Sequence, residues 1–447
     1  MTISPEMVEV LKETKAMLSG YERRHFMAQT VKTICEGSPT KAERELGWNR
    51  ATIANLKSRG AIHSGLNESG FEDEELRRSW WSFRYGSWDI ASLLSSWQEE
   101  VEWKGEWEAK KLEGYRVKSI DITGFWRPKL QGKVNRLYNS TARRALPALI
   151  FGVMISSGEI GGKRVPLLKA IMRCEVGTKE SEFRKKLLKE TKKSLESDEV
   201  AVVDAGFTIR EMLESDVDRF VLREAINCTA RRNELPERKE KGRPPEYGDI
   251  VRPLSRCYRG KRLEATTPDS FGQFVYSGRL IRYQAWHNLV PRTTKVDTAN
   301  RTYSIYVFQD PAYHTPLVLA TVMALQAETI YLFSLERWPV EHPPLASKQM
   351  IGLHRQFVHA DEACFRLPEL GLLAGNLLSH LAASLPPIPT GYWDREPQAT
   401  PGRLRRVLSS ALFPTPDQLD PDFRKKASVS HHFPKGVLAH RRLNAAA

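Results

Sequence analysis

Two apolar runs that each carry one aspartate constrain the chain more than any other feature: VKSIDITGF around Asp121 and AVVDAGF around Asp204. A carboxylate on a mostly apolar strand is costly to bury unless something pairs with it, so each run fixes a strand and marks one position on it for a polar task. In the first run, alternation puts Val117, Ser119, Asp121 and Thr123 on one face. In the second, Asp204 closes a buried strand, and Gly206 beside it permits close approach of a ligand or chain, a frequent site geometry in α/β sheets. Taken singly, either aspartate also fits an ordinary capping or turn residue.

The surrounding pattern predicts how these strands are arranged. From Tyr115 the chain reads YRVKSIDITGFW, ALPALIFGVMISS and KRVPLLKAIM; a charged helical stretch, ESEFRKKLLKETKKSLES, then precedes EVAVVDAGF. Strands, a helix and a buried strand in this order predict an α/β layer spanning 113–228. Residues 1–112 are charged and helical in pattern and end in the tryptophan-rich SWWSFRYGSW and SSWQEEVEWKGEWEAKK. After 229 the regularity breaks in a segment rich in charge and proline (231–262), and strand-like pieces return in GQFVYSGRLIRYQAW and RTYSIYVFQ. We read 229–330 as a β-rich insertion. Residues 331–385 resume helical periodicity in LPELGLLAGNLLSHLAASL, and 386–447 read as a linker, a short basic helix (GRLRRVLSSALF) and a tail.

A chain of 447 residues exceeds what one core usually supports, so two to four domains are expected. Lys and Arg total 68 against 54 Asp and Glu, a formal charge of +14, which favours a polyanionic partner. Nucleic acid is the first candidate and a membrane surface the second. The first residues lack the uninterrupted apolar stretch of a secretory signal, and no run approaches the length of a bilayer span, so a soluble, cytoplasmic protein is expected. Five scattered cysteines, without a CxxC pair, read as reduced packing thiols.

Within the first region, SPTKAERELGWNRATIANLKSRG reads as a helix, a turn at Gly47 and a second helix, with Ala42, Leu46 and Ile53 placed to pack the pair. This pattern resembles a helix-turn-helix. Its second helix would expose Asn49, Arg50, Thr52, Asn55 and Lys57, types that bond base edges or phosphates in a major groove. A glycine-turned helical hairpin of no DNA-binding role has the same pattern.

A third acid comes from ERWPVEHPPLASKQMIGL, where Arg337, Glu341 and Lys348 are four and then seven residues apart. On a continuous helix these project from nearly one face, either as a solvated ion-pair cluster or as a metal ligand with phosphate clamps beside it. Pro343 and Pro344 interrupt the helical hydrogen bonding, so the helix should kink or start near Pro343. Glu336 is the alternative acid.

DITGFW, VVDAGF, the β-rich insertion and the pattern Arg, three residues, Glu, six residues, Lys together resemble the bacterial insertion-sequence DDE transposases of the cut-and-paste type. The resemblance spans about 115 to 385. It implies an RNase H-like catalytic core interrupted by the insertion, with Asp121, Asp204 and Glu341 as catalytic, metal-binding carboxylates. It implies two Mg²⁺ ions (Mn²⁺ as a substitute) ~3.5 to 4 Å apart, held by hard oxygen ligands, with no other cofactor. By the same resemblance Arg337 and Lys348 hold DNA phosphates. Trp286, the only tryptophan of 229–330, either stacks on a flipped base or packs a small sheet. The cations of 231–262 either contact phosphates or belong to a solvated loop. The implied partners are double-stranded DNA, as transposon ends and target, and a second copy of the chain in the DNA complex; the implied location is the bacterial nucleoid. A nuclease that does not join strands, and a catalytically lapsed DNA-binding protein, are the competing readings.

Overall fold

The computed structural model describes residues 4–18, most of 26–48, 73–238 (save 129 and 131), 243–353, 358–389 and 394–405 (save 395). Helix α1 (Pro5–Met17) starts where Ser4 accepts a hydrogen bond from the Met7 amide, with Pro5 presetting the first turn. Helix α2 (Pro39–Leu46) buries Ala42 and Leu46 in a small core with Leu11, Met27, Val31, Cys35 and Trp48. The expected second helix, with Asn49, Arg50, Thr52, Ile53, Asn55 and Lys57, lies outside the described residues.

Helices α3 (Asp73–Tyr85) and α4 (Ile90–Lys104) lead into the sheet. Asp89 caps α4 by accepting from the Ser92 amide at 2.9 Å, and Gly105 ends it in the left-handed region at φ 65°. Strands begin directly afterwards, at β1 (Trp107–Ala109) and β2 (Lys111–Leu112), ahead of the expected Tyr115. The reason is Trp107: it pairs with Ile160, and its indole N–H donates to the Val165 carbonyl at 2.9 Å.

The architecture is mixed α/β, built on one large mixed sheet of 14 strands. Strand β3 (Tyr115–Trp126) is followed by β4 (Asn135–Asn139), β5 (Arg144–Ile160), β6 (Lys163–Arg173), β7 (Glu199–Val203) and β8 (Phe220–Arg223). Their central order is β6-β5-β3-β7-β8. The β5 strand runs antiparallel to both β3 and β6, whereas β7 is parallel to β3 and β8 is parallel to β7. Helix α5 (Glu180–Ser194) lies between β6 and β7 in sequence and packs Leu187 and Leu188 with Ile120, Ala201 and Val203 on one face. Thr208 and Glu211 cap α6 (Ile209–Glu214) reciprocally.

The strands after 229 do not make a sheet of their own. Strands β9 (Ala230–Arg232) and β10 (Ile250–Val251) come first, and β11 (Arg256–Tyr258) with β12 (Lys261–Leu263) forms a separate two-stranded ribbon. Then β13 (Ser270–Tyr276), β14 (Arg279–Pro291), β15 (Tyr303–Gln309) and β16 (Leu317–Thr321) rejoin the main sheet, where β16 pairs antiparallel with β8. Helix α7 (Ala327–Leu335) starts a little before the expected boundary at 331 and packs Ile330, Tyr331 and Phe333 with Val117, Val202 and Val221 on the face opposite α5. The long α8 (Asp361–Ser384) covers Phe125, Phe151 and Val153 on that same side. A helical turn at 401–405 buries Leu404; the rest of the expected basic helix lies outside the described residues. Among the described residues no helix is long and apolar enough to cross a membrane.

Candidate active site

The face of β3 that carries Ser119, Asp121, Thr123 and Phe125 is covered by residues 336–348, and the contacts follow the strand in order. Ser119 donates to the Glu336 carbonyl at 3.3 Å, and Ser157 of β5 donates to the same oxygen at 2.7 Å. Two positions along, Asp121 accepts from the Ile122 amide at 2.7 Å. Thr123 Oγ1 accepts from Lys348 Nζ at 2.6 Å, and the ammonium stands 5.2 Å from the centre of the Phe125 ring. Alternation along β3 therefore delivers the four side chains to one covering segment.

Asp204 arrives from the neighbouring strand. The parallel register aligns Val203 with Ile120, so the next residue on each strand brings Asp204 level with Asp121. Asp204 Oδ1 accepts from the Gly206 amide at 2.8 Å; a Cβ at position 206 would stand 2.9 Å from that oxygen, so a larger residue there would displace the Asp204 carboxylate.

The third acid comes from a broken helix, as the prolines dictate. After α7 the chain makes a tight 3₁₀ turn over Trp338–Glu341, a single α-turn over His342–Leu345 that begins with Pro343 and Pro344, and a wide π-type turn over Ala346–Met350. Arg337 and Glu341 still close an ion pair at 2.7 Å, and Lys348 reaches β3 separately. The break expected near Pro343 is therefore present, and three short turns take the place of a continuous helical face between Arg337 and Lys348.

These groups share one electrostatic field. The Asp121 carboxyl is pushed up to about 7, first by loss of water and then by repulsion from Asp204; Arg337 pulls it down and Glu341 pushes it further up. Burial pushes the Lys348 ammonium down to about 8, against the attraction of Asp121. Arg337 Nη1 is buried without a hydrogen-bond partner, leaving one strong donor unspent next to the acids. Among the described residues, however, no three Asp, Glu, His or Cys side chains are gathered closely enough to hold a metal ion.

Glu336, the alternative acid, points elsewhere. Its buried carboxylate pairs with Arg164 at 2.9 Å, and Lys110 and Glu159 are its other charged neighbours. Of the two readings of Trp286, the structure shows packing and corrects base stacking: the residue is 0% exposed, it packs with Ile305 and Ala320, and its indole N–H donates to the carbonyls of Thr266 and Thr267. A ring enclosed on both faces by core side chains has no surface to offer a base.

Sequence reasoning missed a clasp that holds α7 to the added strands. Tyr331 donates to Asp310 at 2.7 Å, Asp310 accepts from Arg279 at 2.9 Å, and Phe274, Tyr276 and Phe308 surround the Tyr331 ring. No spacing pattern links residues from four separate elements, although an isolated Asp ending the apolar YSIYVFQ run was a signal of the same kind as Asp204.

Fold and site together define a mixed α/β protein whose sheet sets two aspartates side by side on neighbouring strands under a segment bearing a third acid and two cations. No protein-family model matches the chain, and no curated protein matches it.

Proposed function

We propose that the protein is a DDE-type DNA transposase acting through Asp121, Asp204 and Glu341. The observation that carries this is the parallel register of β3 and β7, which sets Asp204 level with Asp121, where Arg337 and Glu341 also act on the Asp121 carboxyl. Asp121 meets groups 83 and more positions away in sequence at one point of charge conflict, and such perturbed groups cluster at functional sites. The strand order β6-β5-β3-β7-β8, with three antiparallel strands followed by two parallel ones, is consistent with an RNase H-like core. The net charge of +14 suits DNA as substrate.

The chemistry of the donors suits a hard divalent cation, since all are carboxylate oxygens and Asp121, held from ionising by burial and Asp204, would gain from a cation beside it; as placed, the side chains are not yet gathered around one point. Asp121 and Asp204 would hold Mg²⁺ or Mn²⁺ from adjacent strands, joined by Glu341 once it exchanges Arg337 for the ion. Bound there, such ions neutralise the entering and leaving oxygens of an in-line phosphoryl transfer. Arg337, with its unpartnered Nη1, then turns to a DNA phosphate, where a charge-assisted bond is strongest. Lys348, which donates to Thr123 and feels the charge of Asp121, adds positive charge near the acids. Pairing of two DNA ends calls for a second copy of the chain in the complex.

The test is incubation of the purified protein with Mg²⁺ and DNA carrying the segments that flank its own coding region, scoring 3′-end cleavage and joining to a target. Cleavage and joining by the wild type, with both lost in Asp204→Ala, is the expected outcome. Cleavage without joining would make the protein a nuclease. Binding without cleavage would favour a catalytically lapsed DNA-binding protein, the reading favoured by the Arg337–Glu341 pair and the lack of a gathered metal-holding group among the described residues.

A further inference from the structure

The β11–β12 ribbon stands apart from the main sheet and concentrates cations. Its sequence, RCYRGKR from Arg256 to Arg262, holds four cations and no acid in seven residues. The register pairs Tyr258 with Lys261 directly across the two-residue turn Arg259-Gly260. Both turn residues have positive φ, 47° and 75°, the conformation of the tight type I′ hairpin that matches strand twist. Gly260 adopts it freely, while Arg259 adopts it at a cost, so the tip holds a defined shape with an arginine at its apex.

The cations of the ribbon divide by task. Arg256 is spent on the root: it donates to the Asn227 carbonyl and, at 3.1 Å, to Thr229 Oγ1. Arg262 is paired with Glu264 at 2.9 Å. Arg259 and Lys261, at the tip, make no ion pair with an acid among the described residues. The Arg259 guanidinium lies 5.4 Å from the centre of the Tyr258 ring, and that ring is 57% exposed. An aromatic face under an arginine holds the cation in place without neutralising it.

The root fixes where the tip is presented. Asn227 and Thr229 lie just beyond β8, and Asp204 lies just beyond β7; the two strands are parallel, so both points belong to the same end of the sheet.

We infer that the β11–β12 ribbon is a DNA-backbone clamp, in which Arg259 and Lys261 grip phosphates of the duplex outside the cleavage centre and Tyr258 positions Arg259. Resting on the proposed function, it names a surface of that reading that lies away from the carboxylates. Two phosphate contacts contribute about 1.8 to the slope of log K against log salt concentration, at about 0.9 per contact. The experiment is a salt titration of duplex binding by fluorescence anisotropy with the full chain and a fluorescein-labelled duplex in the absence of Mg²⁺. Arg259→Gln with Lys261→Gln should reduce the slope by about 1.8 at unchanged thermal stability. Tyr258→Ala should remove about half of that, whereas Tyr258→Phe should leave the slope as in the wild type. Wild-type binding with a slope unmoved by the double substitution overturns the clamp and leaves the transposase reading standing. A wild type that binds no duplex overturns both.

Discussion

Substituting Asp121 by Asn should stabilise the metal-free protein, and the structure gives the size of the gain. The carboxyl is pushed from an ordinary 3.8 up to about 7. Roughly three pKa units at 1.36 kcal/mol each amount to about 4 kcal/mol as the cost of holding Asp121 ionised in the folded chain. The sign follows from proton linkage. Below pH 4 the acid is protonated both folded and unfolded, and no cost arises. Between pH 4 and 7 the unfolded chain has lost the proton that the folded chain retains, so stability falls as pH rises; above 7 the full cost is present. Asparagine keeps the oxygen that accepts from the Ile122 amide at 2.7 Å and carries no charge. Urea unfolding followed by tryptophan fluorescence should therefore show Asp121→Asn more stable by about 2 to 4 kcal/mol at pH 8, the lower figure allowing for partial access of water, and equal to the wild type near pH 4. A variant that is less stable than the wild type at pH 8, or a difference that does not change with pH, would refute the claim that burial beside Asp204 opposes ionisation of Asp121.

Four further outcomes are expected. Mg²⁺ at pH 8 should stabilise the wild type by about 2.7 kcal/mol at a hundredfold excess over the dissociation constant, seen as a higher unfolding midpoint, and leave Asp121→Asn unchanged; calorimetry in both proteins checks it. Glu341→Gln should abolish cleavage while Glu336→Gln retains it, because Glu336 pairs with Arg164 and is not among the groups that shift Asp121; parallel cleavage assays decide between the acids. Trp286→Phe should cost about 1 to 3 kcal/mol of stability by leaving the Thr266 and Thr267 carbonyls without their donor, with cleavage per folded molecule unaltered; a selective loss of cleavage would restore the base-stacking role. Arg366→Ala should cost about 3 kcal/mol and expose the α3–α4 junction to limited proteolysis, since this guanidinium donates to the carbonyls of Phe83, Gly86 and Trp88.

The parts of the fold legible in the sequence were those governed by local periodicity. Alternation in YRVKSIDITGFW marks β3 at its observed limits, and the Asp121 and Asp204 runs become the neighbouring strands on which the site is built. Pro343 and Pro344 announced the break that the chain makes at His342. What stayed hidden depended on contacts between distant segments. The convergence of Glu341 and Lys348 on β3 is set by Ser119 and Ser157 gripping the Glu336 carbonyl, across separations that no periodicity encodes. Trp286 was open to both packing and base stacking because its local sequence carries no label of burial; the two threonine carbonyls that receive its N–H lie in a loop before β13. The ribbon from 256 to 263 was masked by its own composition, since the same basic string describes a solvated loop until Arg259 and Gly260 fold it back.

The pairing of β16 with β8 bears on how such a protein can be altered or have arisen. Val221 and Leu222 of β8 are buried, and β16 supplies the hydrogen bonds along their outer edge. Excising 230–321 as though it were a detachable module would leave β8 as a bare, apolar edge, the kind of surface that recruits other chains into aggregates. The added strands are thus a seal as well as an extension. Shortening without baring that edge is best directed at the β11–β12 ribbon, which pairs with no strand of the main sheet, and a graft of residues 230–321 into another sheet would have to carry an edge matched to β8.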